Sequence, residues 1–468
     1  VATAKVFDHH IHSAYFRLAL VDALLLFGAY YLGVYLYFIP EPDSSIRFAD
    51  GVTVRASIYA FIAVISLFAM GLYQPTMREG ASGVVLRVAG AFVLIVLIMS
   101  SIFYVVPDFH LWRGNFFYTL VVSFVVCLAS RVAFTRIIDG DRLRRRVLVY
   151  GAGKAASAIT DTMRRKSDRQ SFKIVGYIRV GGEETRVGGE PIVELDQSLL
   201  EYTYAMDIDL IVMALDDKRA QTPLGELVDC RLSGVEVVDM VNFFEQEAGK
   251  ILVDFVSQGW LVYSNGFNTS ATSRIGKRCF DVVSSFLLLM AAWPIMLLTV
   301  LAIWIEDGFA APVLFRQSRV GEHGKNFEVL KFRSMSVDAE GDGKAVWATS
   351  NDSRVTRVGN FLRKVRIDEL PQIINVLSGD MAFIGPRPER PEFVKQLSEQ
   401  IPFYDVRHSV KPGITGWAQL SYPYGASVND AKQKLQFDLY YVKNHSLFLD
   451  FMILLNTVEV VLFGKGAR

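Results

Sequence analysis

The run Val282–Ile305, VVSSFLLLMAAWPIMLLTVLAIWI, decides how the rest of the chain must be arranged. By length it can cross a bilayer. Pro294 lies at its middle, where it removes a backbone hydrogen bond and bends a helix. Arg274, Lys277 and Arg278 precede the run, and Arg316, Arg319 and Lys325 follow it. Basic residues on both flanks favour keeping both ends on the cytosolic side. The pattern predicts a re-entrant hairpin over 274–306 that enters the membrane, breaks at Pro294 and returns. The competing reading is a kinked span, in which Lys277 and Arg278 merely snorkel to headgroups.

Towards the N-terminus, four more apolar runs stand at about 14–38, 53–73, 84–106 and 115–135. Each is near the ~20 residues that span a bilayer, and a soluble bundle would need polar faces that they lack. Arg136, Arg142, Arg144, Arg145 and Arg146 flank the exit of the fourth, so that exit is cytoplasmic. The loop Pro40–Asp50 is acidic on balance, as an outside loop should be. Residues 1–140 thus read as a four-helix transmembrane region, with everything beyond starting in the cytosol. The chain has 468 residues, 51% of them hydrophobic, and a net charge of only +1. That charge gives no basis for a nucleic-acid partner. Cys127, Cys230 and Cys279 are too scattered for a disulfide framework or zinc site. His9, His10 and His12 read as a solvated tail rather than a metal site.

Residues 141–270 change character. Arg146–Tyr150 reads as a strand, followed by Gly151-Ala152-Gly153 and a helix to about Arg165, with further strands near 173–179, 208–214 and 235–240. This alternation predicts a Rossmann-like parallel α/β sheet. The glycine turn is a weak phosphate signal: Ala156 holds the third glycine position, and Arg179 sits where an acid is expected. A structural or regulatory module is favoured over a redox site. Asp216 and Asp217 either line a ligand crevice or open the next helix.

Residues 271–468 carry the chemistry, in a mixed α/β domain that includes the hairpin. Five clusters follow in order: Leu314-Phe315-Arg316-Gln317-Ser318-Arg319-Val320-Gly321, Lys331-Phe332-Arg333-Ser334-Met335, Arg366-Ile367-Asp368-Glu369-Leu370-Pro371-Gln372, Gly385-Pro386-Arg387-Pro388, and Pro412-Gly413-Ile414-Thr415-Gly416-Trp417-Ala418-Gln419. Lys331 and Arg333 alternate as on a strand facing a pocket. Arg387, boxed by Pro386 and Pro388, presents a guanidinium suited to bidentate phosphate binding. Asp368 and Glu369 precede Leu370-Pro371, at a helix entrance, where the bland reading is charge complementing a helix dipole. The final run, Leu447–Phe463, is interrupted by Asp450, Asn456 and Glu459 and reads either as an interfacial helix or as part of the catalytic core.

Over about residues 274–468 the chain resembles the bacterial sugar transferases, the monotopic phosphoglycosyl transferases. Its four-span and Rossmann-like additions resemble the larger members that prime exopolysaccharide, capsule or O-antigen synthesis. The resemblance implies transfer of hexose-1-phosphate from UDP-glucose or UDP-galactose to undecaprenyl phosphate, with release of UMP and with Mg2+, at the cytoplasmic face of a bacterial inner membrane. It implies Asp368 as nucleophile and Glu369 as metal ligand, while spacing alone does not separate the two roles. Lys331, Arg333, Arg316, Arg387, Gln419 and Asp438 are the candidate substrate-binding residues, with Lys277, Arg278 and Pro294 forming the membrane hairpin. The stretch Tyr424-Gly425-Ala426-Ser427 departs from the sequence expected after the Trp-Ala-Gln motif, so the sugar stays open. UDP-sugar, polyprenyl phosphate and membrane lipids are the expected partners, and a homodimer is left open. Two rival readings are a nucleotide-sensing membrane scaffold and a Rossmann oxidoreductase or dehydratase; the latter needs a Tyr-x-x-x-Lys that residues 147–270 lack.

Overall fold

The structure is a computed structural model. It describes residues 3–6, 9–38, 51–73, 81–106, 113–138, 144–163, 169, 171–181, 184–189, 191–216, 222–264, 266–267, 270–336, 354–422, 425 and 427–463. The loop Pro40–Asp50, Arg142, Asp217, Tyr424 and Ala426 lie outside them, as do the side chains of Arg136 and of His9, His10 and His12.

The four N-terminal runs form α1 (Ser13–Phe38), α2 (Val52–Ala69), α3 (Ala81–Val105) and α4 (Arg113–Ile138). Each is long and apolar enough to cross a membrane, and a later helix, Ala271–Asp307, is the fifth of that kind among the described residues. Leu20, Leu24, Phe61, Leu97 and Phe117 point outward, as lipid-facing residues do. The polar residues turn inward. Asp22 on α1 accepts from Arg131 (2.5 Å) and Ser130 (2.7 Å) on α4 and from Tyr73 beyond α2 (2.7 Å). A charge at membrane depth is tolerated only with such partners.

The expected parallel sheet is present. Its strands are β1 (Arg145–Tyr150), β2 (Phe172–Ile178), β3 (Ile192–Val193), β4 (Leu210–Met213) and β5 (Glu236–Asp239), in the order β3-β2-β1-β4-β5. Val147, Leu148 and Val149 are fully buried, as a central strand covered on both faces requires. The order reverses between β1 and β4, the point where open α/β sheets offer a crevice. After β1 the chain turns at Gly151 (φ 121°) into α5 (Lys154–Thr162).

Two compact units divide at Ala248 and Gly249. Residues 249–270, which the sequence places with the Rossmann-like segment, pack in the second unit: Ile251 N donates to Gln436 O (2.9 Å) and Trp417 Nε1 to Gly249 O (2.7 Å).

Within the second unit, the Ser270 hydroxyl caps α6 (Ala271–Asp307). The expected break does not appear as a gap in the helix: α6 runs through Pro294, which costs one backbone hydrogen bond and leaves the rest of the ladder in place. Both ends of α6 are tied to the same unit. Near its start, Arg278 donates to Val376 O (2.6 Å) and Leu377 O (2.7 Å). At its end, Glu306 accepts from Arg357 N (2.8 Å) and Asp307 pairs with Arg333 (2.6 Å). Between these anchors Phe286, Leu287, Met290, Trp293 and Leu298 are exposed. Beyond α6 come an antiparallel pair, β6 (Leu314–Val320) and β7 (Asn326–Phe332), then α7 (Arg357–Lys364) and α8 (Gln372–Ser378). A short parallel pair, β8 (Ala382–Ile384) and β9 (Gly413–Thr415), precedes α9 (Val428–Asn444) and α10 (Leu447–Phe463). α10 turns Asp450 and Asn456 inward: Asp450 is fully buried and accepts from Tyr441 (2.7 Å), which fits the core-packing reading of that run.

Candidate active site

Arg366 adopts a left-handed conformation (φ 63°) and starts a single 3-10 turn, Ile367–Glu369. Such backbone strain in a non-glycine residue collects at functional sites. Pro371 then caps α8, so the two acids stand at a helix entrance, as their sequence suggested. They face different surroundings. Glu369 Oε1 accepts from Lys331 Nζ (3.0 Å) and Arg387 Nη2 (2.7 Å), with Arg366 at 3.9 Å. Burial raises its proton affinity, but Arg387 and Lys331 overcome this and hold the carboxyl well below its usual range. Asp368 is equally buried, yet its Oδ1 has no hydrogen-bond partner among the described residues. Burial, followed by the Glu369 charge, pushes its pKa up. Burial likewise pushes the Lys331 ammonium down, against the pull of Glu369.

Asp368 opens into a cavity of about 390 Å³, also lined by Lys331, Arg387, Arg319, Arg333 and Asp438. Glu369 stands behind Lys331 and Arg387. The Arg387 backbone is fixed by its neighbours: Gly413 N donates to Pro386 O (2.9 Å) and Arg407 Nη2 to Arg387 O (3.0 Å). Here Gly385, Gly413 and Gly416 approach one another so closely that a Cβ on any of them would meet backbone. The Pro412-Gly-Ile-Thr-Gly416 motif is therefore a packing device behind the Pro386–Arg387 turn.

Not every candidate reaches the cavity. Arg316 lies on the outer face of β6, exposed beside Glu328 (3.3 Å). Alternation instead brings Phe315, Gln317 and Arg319 to the cavity wall. Arg319 is pushed down to about 10 by burial, against the pull of Glu389. Gln419 does not line the cavity, and its amide donates to Ile414 O (3.0 Å). Asp438 lines it but is already paired with Arg407 (2.8 Å), and burial pushes it up to about 6 despite that pairing. Arg319, named from sequence only as a base flanking the apolar run and as part of a motif, and Arg407 and Lys434 were not among the candidate substrate-binding residues. The strand period could have found Arg319; nothing local marks the other two. Lys277 is not simply a headgroup contact: its ammonium reaches Asp281 (2.8 Å), Asp450 (3.1 Å) and Ile384 O (3.0 Å).

Among the described residues no group of three His, Cys, Asp or Glu side chains converges as a metal cage. The Asp368–Glu369 dyad suits magnesium nonetheless. Magnesium commonly uses one or two carboxylates and takes its other ligands from water and substrate phosphates. The unpartnered Asp368 oxygen shows a carboxylate whose demand for a partner is unmet.

The glycine turn of the parallel sheet is built differently. Asp216, just beyond β4, accepts from Lys154 N (2.9 Å) and Ala155 N (2.7 Å) at the start of α5. A carboxylate of the chain itself thus stands on the N–H groups that a ligand phosphate would use. Arg179 is exposed, 4.0 Å from Glu194.

A family model described as bacterial sugar transferase matches residues 272–464, and one described as CoA-binding domain matches residues 68–229. The UDP-glucose:undecaprenyl-phosphate glucose-1-phosphate transferase of Escherichia coli (strain K12) is 43% identical over 361 residues, covering 74% of each chain. An N-acetylgalactosaminephosphotransferase of Aeromonas hydrophila, named for UDP-N-acetylgalactosamine and undecaprenyl phosphate, is 40% identical over 265 residues; the match spans 56% of this chain and 61% of that protein. The undecaprenyl-phosphate galactose phosphotransferase of Salmonella typhimurium is 28% identical over 340 residues, covering 69% of each.

Proposed function

The chain belongs to the bacterial sugar transferase family, and from that premise we propose that it moves hexose-1-phosphate from a UDP-hexose, glucose or galactose, to undecaprenyl phosphate and releases UMP, the priming step of a surface polysaccharide. The observation that carries this reading is Asp368: a buried carboxylate oxygen without a partner among the described residues, in a cavity walled by Lys331, Arg387 and Arg319.

Lys331 and Arg387 hold the diphosphate, and Arg387 keeps its fork oriented because its carbonyl is tied to Arg407. The Asp368 oxygen attacks the β-phosphorus. The bond from that phosphorus to the bridging oxygen breaks, and the electron pair leaves on UMP. Asp368 then carries the sugar phosphate as an acyl phosphate until an oxygen of the lipid phosphate attacks the same phosphorus and frees the carboxylate. Desolvation suits Asp368 to this role, since an oxygen with no hydrogen bond to break is a stronger nucleophile. Glu369 stays ionised throughout and is the carboxylate that would hold magnesium. Such an ion would supply positive charge beside the diphosphate.

Both ends of α6 anchor in one unit, which supports a re-entrant helix that leaves the catalytic unit wholly on the cytoplasmic side of the inner membrane. The Asp216 carboxylate at the glycine turn supports a structural or regulatory role for the parallel-sheet module rather than nucleotide chemistry.

The test is UMP release by the full chain in lipid, across UDP-glucose, UDP-galactose and UDP-N-acetylgalactosamine, with and without undecaprenyl phosphate. Acceptor-dependent turnover with one of the hexoses supports the proposal. No UMP from any of them, by protein that is folded and membrane-bound, overturns it.

A further inference from the structure

Arg333 shares the cavity with Asp368, but its guanidinium is only partly engaged. Nη2 donates to Asp307 (2.6 Å), whereas Nε and Nη1 are buried with no hydrogen-bond partner among the described residues. The residue is 7% exposed, so those two donors have lost water without replacement. Leaving charged donors in that state costs more than any ordinary core polar group, unless an anion completes them.

The position indicates which anion. Asp307 is the last residue of α6, the long apolar helix of this unit. Glu306 beside it accepts from Arg357 N (2.8 Å) and Val358 N (3.1 Å), fastening α7 to the end of α6. Leu362 of α7 packs with Ile303 and Phe332, while Phe361 is turned outward. Ile305 and Phe309 are also exposed, at 81% and 80%. An exposed apolar belt at the end of a membrane-embedded helix marks the bilayer interface. Arg333 therefore sits where the cavity adjoins lipid. Lys331 and Arg387 stand at Asp368, where the attacked phosphorus must lie.

We propose that the cavity has two anion subsites: Lys331 and Arg387 take the diphosphate of the soluble donor, and the open face of Arg333 takes the terminal phosphate of the membrane-borne polyprenyl acceptor. This deepens the transferase reading and rests on it. A fixed lipid phosphate beside Arg333 would be aimed at the phosphorus carried by Asp368, with its tail leaving along Phe309 and Phe361.

The test uses the full chain in vesicles of defined phospholipid. Arg333→Gln should raise KM for undecaprenyl phosphate by about tenfold or more and leave KM for the UDP-sugar within about twofold. Arg333→Lys keeps the ion pair with Asp307, and with it the fold, but loses the planar fork; it should show the same split to a smaller degree. A second measurement does not need turnover. A short-chain polyprenyl phosphate should raise the melting temperature of the wild type and not of Arg333→Lys, while UDP stabilises both. Inorganic phosphate at the same concentration separates anion binding from lipid binding. Equal stabilisation of both proteins by the polyprenyl phosphate overturns the subsite, as does a rise confined to KM for the UDP-sugar. If the wild type binds the polyprenyl phosphate through Arg333 yet turns over no UDP-sugar, the transferase reading fails and the subsite stands.

Discussion

Arg387 Nη2 and Glu369 Oε1 lie 2.7 Å apart, and this contact joins the two motifs that the sequence keeps separate. It makes Arg387 serve two anions: the fixed carboxylate on one side and the donor diphosphate on the other. A guanidinium can do this because its donors are arrayed as a planar fork. An ammonium at the end of a flexible stem has no such geometry.

Arg387→Lys should therefore lower kcat/KM for UMP release by about 100-fold, or about 2–3 kcal/mol. The loss should exceed that of Lys331→Arg, which preserves a charge on Glu369 and adds donors. Steady-state kinetics with the natural donor would measure both. Near-normal turnover in Arg387→Lys would remove the fork from the site.

Asp368 and Glu369 should depend on pH with opposite signs. The folded state raises the Asp368 pKa, so it favours the protonated form, and stability falls as pH rises through that raised value. Asp368→Asn mimics the protonated acid. Its melting temperature should match or exceed the wild type at pH 7–8, and the difference should vanish below the ordinary carboxylate pKa of about 3.9. The folded state lowers the Glu369 pKa, so that carboxylate stabilises the protein above its unfolded value of about 4.3, and the gain is lost as pH falls through the folded value. Glu369→Gln should thus melt lower at pH 7, leaving Lys331 and Arg387 uncompensated. Thermal unfolding of both variants across pH 3–8 checks the pair, and the same sign for both would show that this electrostatic account is mistaken.

The sequence revealed most where the physics is local. Apolar runs gave α1 to α4 and α6 within a few residues, and the Leu370-Pro371 pair placed the dyad at a helix entrance. Period-two alternation distinguished the faces of β6 in principle, but the motif as a whole drew attention to Arg316 when its neighbour Arg319 faces the cavity. Pairings across long stretches of chain left no local trace. Nothing near Asp450 announces that it meets Lys277, or that Arg407 would bridge Asp438 and the Arg387 carbonyl. Asp216 stood at the right strand end, but only the folded sheet shows its carboxylate on α5.

Asp216→Ala should test that last contact. It removes a side chain that satisfies two N–H groups at a helix start, a loss of about 1 kcal/mol by comparison with other N-terminal caps. The full chain should melt a few degrees lower in the transition of the parallel-sheet module. Phosphate or sulfate should restore part of the loss in the variant and do nothing for the wild type. An equal anion effect on both proteins would mean that Asp216 does not occupy the anion position.

The topology proposed for α6 can be checked by labelling. In a cysteine-free background, single cysteines at Ser318 and at Ser270 should both resist a membrane-impermeant thiol reagent in intact cells, and both should react once the membrane is opened. A straight crossing would expose one of the two. The anchors at Arg278 and Asp307 motivate this expectation, because both ends of α6 bind one unit.

The remaining prediction concerns the nucleophile. The Asp368 Oδ1 atom is buried, without a partner among the described residues, and beside three cationic side chains, whereas Glu369 is saturated at Oε1. A carboxylate already holding Lys331 and Arg387 would have to break both contacts before attacking; Asp368 has no such barrier. The difference assigns covalent chemistry to Asp368 and charge organisation to Glu369. Mixed with donor and magnesium but no lipid acceptor, the full chain should release UMP in a burst stoichiometric with active protein. Intact-protein mass spectrometry should then find the mass of one hexose phosphate, and peptide mapping should place it on Asp368. Asp368→Asn should show neither burst nor adduct while still binding UDP. Glu369→Gln should form the adduct slowly and need more magnesium to do so. If UMP appears only when acceptor is present, and no adduct accumulates on a rapid-quench timescale, the lipid phosphate attacks the donor directly in a ternary complex. Asp368 would then act as a base or metal ligand, and its unpartnered oxygen would face the acceptor rather than the donor phosphorus.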